Sequence, residues 1–188
     1  MSHVVVIGAG QAGSSLVVKL RTDGFDGDIT LIGSESVPPY QRPPLSKKYL
    51  LGDMALERLF LKPEAFYGEN GIDLRTGQPV TNVDAVAKTV EVGDEVLNYE
   101  NLVFATGSSP RYLPAAIGGQ LKGVHVVRGL SDVDAMAPEF TEDRHVLIIG
   151  GGYIGLEAAA VAASKGLKVT LVEMAERILQ RVACPQTS

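Results

Sequence analysis

The chain opens on Val4, Val5, Val6 and Ile7, an unbroken β-branched run that stops at Gly8. A run that is apolar at every position, instead of every second one, fits a strand covered on both faces, as in a parallel sheet. Residues 12–23 carry Leu16, Val17 and Leu20 at helical spacing, with Gly24 as a stop. Residues 29–32 return to the strand pattern, so the N-terminal stretch predicts a βαβ unit. Across residues 34–52, Pro38, Pro39, Pro43 and Pro44 oppose helix or central-strand pairing and predict a long loop. Residues 80–96 alternate, with Val90 and Val92 two apart, which predicts antiparallel strands; a strand at 101–105 follows, and together these predict a mixed sheet. Beyond Pro110 and Pro114 the pattern begins again: a strand at 146–149, a helix at 155–165 and a strand at 167–172. The chain thus reads as α/β with one βαβ unit written twice.

Each unit carries a glycine fingerprint between its first strand and its helix. The first is Gly8-Ala9-Gly10-Gln11-Ala12-Gly13 and the second Gly150-Gly151-Gly152-Tyr153-Ile154-Gly155. In that context the first glycine allows the tight turn and the second lets backbone approach a pyrophosphate. The third lets the helix pack on the strand, and the helix N-terminus offers free N–H groups. Two such turns in one polypeptide predict two dinucleotide sites, on two Rossmann-like domains.

An acidic residue after the second strand accepts hydrogen bonds from the adenosine ribose. In the second unit Glu173 fills that place, and it would repel a 2'-phosphate; Met174 brings no compensating charge, although Arg177 lies close in sequence. NADH is therefore favoured over NADPH there. In the first unit the available residues are Ser34 and Glu35, and Glu35 is equally readable as a ribose partner or as a solvated loop carboxylate.

Composition narrows the partners. The net charge is −5 with basic residues scattered, so nothing resembles a footprint for nucleic acid. The longest apolar stretch, residues 158–163, is too short to span a bilayer, and the N-terminus begins as a strand instead of a signal peptide, which points to no membrane and to the cytoplasm. With one cysteine, Cys184, the chain has neither an internal disulfide nor a CxxC redox pair, and no metal site is expected.

The segment Pro39-Tyr40-Gln41-Arg42-Pro43-Pro44-Leu45-Ser46-Lys47 is more specific than either fingerprint. Together with Ala105-Thr106-Gly107 after a strand, Arg128 in Val126-Val127-Arg128, and Gly152-Tyr153-Ile154-Gly155-Leu156-Glu157, it resembles the FAD-dependent ferredoxin reductases of the putidaredoxin reductase and aromatic-dioxygenase reductase type. These belong to the pyridine nucleotide-disulfide oxidoreductase superfamily and are related to apoptosis-inducing factor and monodehydroascorbate reductase. The resemblance runs over the whole chain. It implies a glutathione-reductase-like fold with FAD on the first site and NADH (NAD+) on the second, in domains spanning residues 1–112 and 113–188.

Carried over by position, the resemblance implies that Arg42, Pro43 and Lys47 meet the flavin, Val80 meets the adenine end through its backbone, Ala105, Thr106 and Gly107 line the FAD cradle, and Arg128 lies near the FAD. The Ser34 slot is commonly acidic in these relatives, a departure that bears on the ribose contact. Lys47 and Glu157 are implied to pair beside the flavin, where a cation favours the reduced ring. Read without the resemblance, Arg42 and Lys47 are surface cations, Val80 a core residue and Glu157 a helix-surface carboxylate.

The activity implied is transfer of electrons from NADH through FAD to a small iron–sulfur protein, a [2Fe-2S] ferredoxin serving an oxygenase. The missing cysteine pair argues against disulfide reduction on the same plan. Reduction of rubredoxin, monodehydroascorbate or a quinone is the alternative within enzymes. A non-catalytic NAD(H)-sensing flavoprotein resembling apoptosis-inducing factor is the alternative outside them. Because members of the family are about twice this length, the resemblance also implies an N-terminal portion with an incomplete second domain, whose sheet edge at 167–172 would be left open.

Overall fold

The computed structural model describes residues 2–188. The chain divides into two compact units, Met1–Gln41 with Glu57–Ser108 and Arg42–Leu56 with Ser109–Ser188.

The first unit is built on a parallel sheet in which β3 (Ile72–Arg75), β2 (Asp28–Ile32), β1 (His3–Ile7) and β7 (Asn101–Phe104) lie side by side in that order. Helix α1 (Gln11–Thr22) crosses from β1 to β2, and α2 (Glu64–Glu69) leads into β3. The continuous apolar run of β1 now has its cause. Val4 and Val6 face one way, into a cluster with Val17 of α1, Ile29, Leu31, Tyr67 and Ile72. Val5 faces the other way, onto Ile32, Val90 and Val92. The last two belong to a separate antiparallel sheet of β4 (Val80–Asp84), β5 (Thr89–Val92) and β6 (Glu95–Asn98). The expected mixed sheet is thus resolved into two layers: the strand at 101–104 pairs in parallel with β1, leaving the alternating residues of β5 to close the other face. At the core, the Tyr67 hydroxyl and Ser14 Oγ satisfy one another at 2.9 Å, which removes the penalty of burying either alone.

Arg21, near the end of α1, donates to the carbonyls of Phe25, Gly27, Asn70 and Gly71 at 2.6–2.9 Å. One side chain therefore holds the turns that precede β2 and β3. Arg21→Ala leaves four carbonyls without this partner and is expected to destabilise the unit by about 2–4 kcal/mol, from net charged hydrogen bonds of about 1.5–3 kcal/mol each with partial replacement by water. Urea unfolding followed by circular dichroism measures it; an unchanged midpoint would rule the role out.

The second unit repeats the pattern with β8 (His145–Ile149), α4 (Tyr153–Ser164) and β9 (Lys168–Val172), preceded by α3 (Leu130–Met136). Its two strands pair in parallel, and among the described residues the far edge of β9 has no neighbouring strand. The repetition goes beyond glycines. His3 at the head of β1 bonds Thr30 Oγ1 at 2.9 Å, and His145 at the head of β8 bonds Thr170 Oγ1 at 2.8 Å.

Residues 42–56 are not wholly loop. After Pro43 and Pro44 the chain forms a wide helical turn, Leu45–Tyr49, interrupted at Lys47, whose φ of −126° and ψ of −112° are not helical. Prolines at the leading edge of a helix cost nothing because the amides they lack would have no partner there, so these residues act as a start signal where the sequence pattern suggests a bar. Leu45 and Leu50 are buried, and Tyr49 Oη donates to Asp134 Oδ1 of α3 at 2.7 Å.

Candidate functional site

The two glycine turns are alike in hydrogen-bonding detail. Gly8 N–H donates to the carbonyl of Ile32 and Gly150 N–H to that of Val172, each at 2.8 Å, so each chain leaves its strand while tied to the neighbour. A Cβ on Gly13 would lie 2.0 Å from the Gly8 carbonyl oxygen, and one on Gly155 would lie 2.0 Å from that of Gly150. Only glycine lets each helix start this close to its strand. Gly8 is constrained again, since its φ is +119° and a Cβ would lie 2.1 Å from the carbonyl oxygen of Ala105, the residue after β7. Ala105-Thr106 thus abuts the first turn.

The middle glycines behave differently. A Cβ on Gly10 or on Gly152 would meet nothing within 4 Å. Both residues begin helices of 12 residues and neither helix has a side-chain cap, so the amides of Gln11, Ala12 and Gly13, and of Tyr153, Ile154 and Gly155, have no intrahelical partner. A concentration of unpaired N–H groups at the positive end of a helix dipole, with open space before it, suits a phosphate. The residues present therefore fit the pyrophosphate of a dinucleotide at both turns.

The strand ends differ in charge. Ile7 pairs with Ile32 and Ile149 with Val172, so Gly33 and Glu173 occupy the same register. Glu173 Oε2 accepts from Gly151 N–H at 2.6 Å and Oε1 from Ala175 N–H at 2.9 Å. The Ala175 and Gly151 amides hold this carboxyl below the usual carboxylate range. Each oxygen keeps a lone pair for a sugar hydroxyl. Arg177 is turned away to the carbonyls of Ala183 and Gln180 and to Ser188 Oγ. In the first unit a Cβ on Gly33 would lie 2.6 Å from Ala9 Cβ, so no side chain fits the register that Glu173 occupies. Ser34 is exposed, and Glu35 Oε2 accepts from the Tyr40 hydroxyl at 2.5 Å. Val80 opens β4 opposite Val92 and is half-buried. Gly107 lies beyond β7 with a φ of +71°.

The second unit gathers the remaining candidates. Lys47 Nζ lies 2.9 Å from Glu157 Oε1, and Ser46 Oγ donates to Glu157 Oε2 at 2.6 Å. Burial pushes the Glu157 carboxyl up, but the Ser46 hydrogen bond and the Lys47 ammonium together outweigh it and bring it below its ordinary value. The stabilisation this carboxylate contributes is therefore present at neutral pH and is lost as pH falls through its lowered midpoint. Arg42 Nη1 donates to the Arg128 carbonyl at 2.7 Å, which brings Pro43 and both arginines together. Asp132 Oδ2 accepts from the amides of Arg128 and Gly129, fixing the turn into α3. Ser46, Tyr49 and Asp132 were not foreseen; of these only Asp132 left a trace in sequence, as an acid in the first turn of a helix. Among the described residues no cluster of histidine, cysteine, aspartate and glutamate is arranged to hold a metal, and no helix is long and apolar enough to cross a membrane.

The family described as pyridine nucleotide-disulphide oxidoreductase matches residues 2–188. A ferredoxin–NAD(P)(+) reductase from Sphingomonas sp is 45% identical over 181 residues, covering 96% of this chain and 44% of that protein. A rubredoxin–NAD(+) reductase from Pseudomonas putida is 40% identical, covering 97% of this chain and 47% of that one. Among solved structures, the reductase in a covalent putidaredoxin reductase–putidaredoxin complex matches with a TM-score of 0.94 at 39% identity, over 99% of this chain and 45% of that chain. The chain spans somewhat less than half the length of the relatives it matches.

Proposed function

Because this chain belongs to the pyridine nucleotide-disulphide oxidoreductase family, as ferredoxin reductases do among its relatives, we propose that it forms the dinucleotide-binding part of a FAD-dependent NADH:ferredoxin oxidoreductase. The observation that carries this reading is the pair of matched glycine turns, each an open helix N-terminus. Bound FAD would take a hydride equivalent from NADH and release electrons singly to a small iron–sulfur protein, a [2Fe-2S] ferredoxin of an oxygenase system. The chain's own residues bind and orient. Amides at the head of α1, with Gly8, Gly10, Ala12 and Gly13, hold the FAD pyrophosphate; Ala105, Thr106, Gly107 and the Val80 backbone line that cradle; Ser34 and Glu35 are the polar groups available to its ribose. Gly150, Gly152, Tyr153, Ile154 and Gly155 hold the NADH pyrophosphate, and Glu173 takes the ribose hydroxyls and repels a 2'-phosphate. Lys47, steadied by Glu157, places a positive charge at the flavin, with Arg42, Pro43 and Arg128 beside it. The domain division in this reading is 1–112 for FAD and 113–188 for NADH, and the setting is the cytoplasm, where NADH is available.

Rubredoxin is the second acceptor with specific support, since a relative of comparable identity is named for it. The test is an anaerobic visible spectrum of the purified, dialysed protein before and after one equivalent of NADH, with NADPH in parallel. The expected result is a flavin spectrum bleached preferentially by NADH and restored by oxidised [2Fe-2S] ferredoxin. Restoration by rubredoxin alone would replace the acceptor. A flavin spectrum indifferent to both nucleotides, or a colourless protein that takes up no added FAD, would overturn the reading.

A further inference from the structure

We propose that Ser46 is a positioning residue: its hydroxyl fixes the rotation of the Glu157 carboxylate so that the opposite oxygen is kept for Lys47, and the proposal rests on the assignment of that ion pair to the flavin.

Three features of the geometry support this. First, the division of labour is complete, because Glu157 Oε2 takes the Ser46 hydroxyl at 2.6 Å while Oε1 takes the Lys47 ammonium at 2.9 Å. A carboxylate held at one oxygen can no longer turn freely, whereas one held only by a flexible ammonium can. Second, the two groups differ in their own freedom. Ser46 is 4% exposed, next to the buried Leu45 in a turn that packs on α4, whereas the side chains of Lys47 and Glu157 are 48% and 29% exposed. An exposed pair between two long side chains is ordinarily worth little and samples many arrangements. A short hydrogen bond from a buried hydroxyl is what makes one arrangement dominant. Third, Lys47 leaves the helical path, with φ −126° and ψ −112°, so adjacent residues of the turn meet the same carboxylate from different directions. In a regular helix, neighbouring side chains point about 100° apart and do not face a common partner.

The charge balance follows. Lys47 and Glu157 together are neutral, so the net field of the pair at a bound flavin depends on how far apart the two charges are held. Ser46 carries no charge of its own, so it acts on that field only through its hydrogen bond to Glu157, which fixes the carboxylate's orientation and favours its ionised form. Lys47 is the charged group that faces Glu157, and Ser46 is the only other side chain in the described residues bonded to it.

The experiment is a carbon-13 NMR titration of the Glu157 side-chain carboxyl in the purified chain, compared with Ser46→Ala, Ser46→Cys and Ser46→Thr. Ala and Cys remove the strong donor, the second with little change in volume, and Thr retains it. The titration needs no cofactor, so it proceeds whether or not the protein binds FAD. The expected result is a Glu157 midpoint that rises in both Ala and Cys variants and returns in Thr. In the FAD-loaded protein, the rate of flavin reduction by NADH falls about fivefold to tenfold in Ala and Cys with NADH affinity unchanged, the loss of one net hydrogen bond, and recovers in Thr. A Glu157 midpoint identical in all four proteins would overturn the proposal, and Ser46→Cys supplies the same comparison if Ser46→Ala does not fold. If the midpoint shifts as expected but wild-type flavin is never reduced by NADH, the positioning of Glu157 stands as a structural fact and its assignment to the flavin fails.

Discussion

Gly152→Val is expected to leave the second unit folded and to weaken its dinucleotide binding at least a hundredfold. The two halves of that expectation come from different parts of one geometry. At Gly152 the backbone has φ −83° and ψ −176°, an extended conformation open to any residue, and a Cβ there meets nothing within 4 Å. Replacing glycine in such a place even stiffens the unfolded chain, a gain of several tenths of a kcal/mol. Yet the space the valine fills is the space in front of the free amides of Tyr153, Ile154 and Gly155. A pyrophosphate displaced from them loses two or more charged hydrogen bonds of about 1.5–3 kcal/mol each, hence the hundredfold or greater loss. Gly155→Val is the opposite control. Its side chain would start 2.0 Å from the Gly150 carbonyl oxygen, so it is expected to break the unit instead of only the site. Thermal unfolding paired with NADH titration by fluorescence separates the two. If Gly152→Val binds NADH like the wild type, the turn does not hold the pyrophosphate.

The same contrast shows what sequence can and cannot disclose. β1 was legible because both its faces are buried, Val4 and Val6 on one side and Val5 on the other, so every position had to be apolar. The glycine turns were legible because the outer glycines answer local steric demands at Gly8, Gly13 and Gly155, while Gly10 and Gly152 keep the space before each helix open. The wide turn at Leu45–Tyr49 was not, because Pro43 and Pro44 read as interruptions until the structure shows them at a helix start. Nor was its attachment: Ser46 meets Glu157 and Tyr49 meets Asp134 across more than eighty residues of chain, a matter of tertiary packing that no local pattern carries. The place of the candidate acid in the second unit was plain, since Glu173 directly follows β9. That of the first was not, because Gly33 fills the matching register with no room beyond Ala9 for a side chain, and the nearest carboxylate, Glu35, is tied to Tyr40.

Glu173 carries the other large effect. In the wild type its carboxylate is held in a fixed position by the amides of Gly151 and Ala175, and in the proposed reading that position faces the adenosine ribose. A 2'-phosphate brought there meets a negative charge, while free hydroxyls meet two acceptors. Glu173→Ala removes both effects and exposes the Gly151 and Ala175 amides, two donors that suit a phosphate. It also frees Arg181, whose positive charge now acts on Glu173. NADH is expected to lose about tenfold to a hundredfold in kcat/KM, NADPH to gain, and the ratio of the two to swing by about a thousandfold. The wild-type preference has a predicted pH dependence as well. Because those amides hold the carboxyl below its ordinary value, the charge that rejects NADPH persists as pH falls through the usual carboxylate range and disappears only below it. The ratio of kcat/KM values for NADH and NADPH, measured in wild type and variant from neutral pH down to the limit of stability, tests both. A preference that survives in Glu173→Ala would move the discrimination to another residue, and one that fades in wild type within the ordinary carboxylate range would mean that the Gly151 and Ala175 amides do not hold the charge in solution.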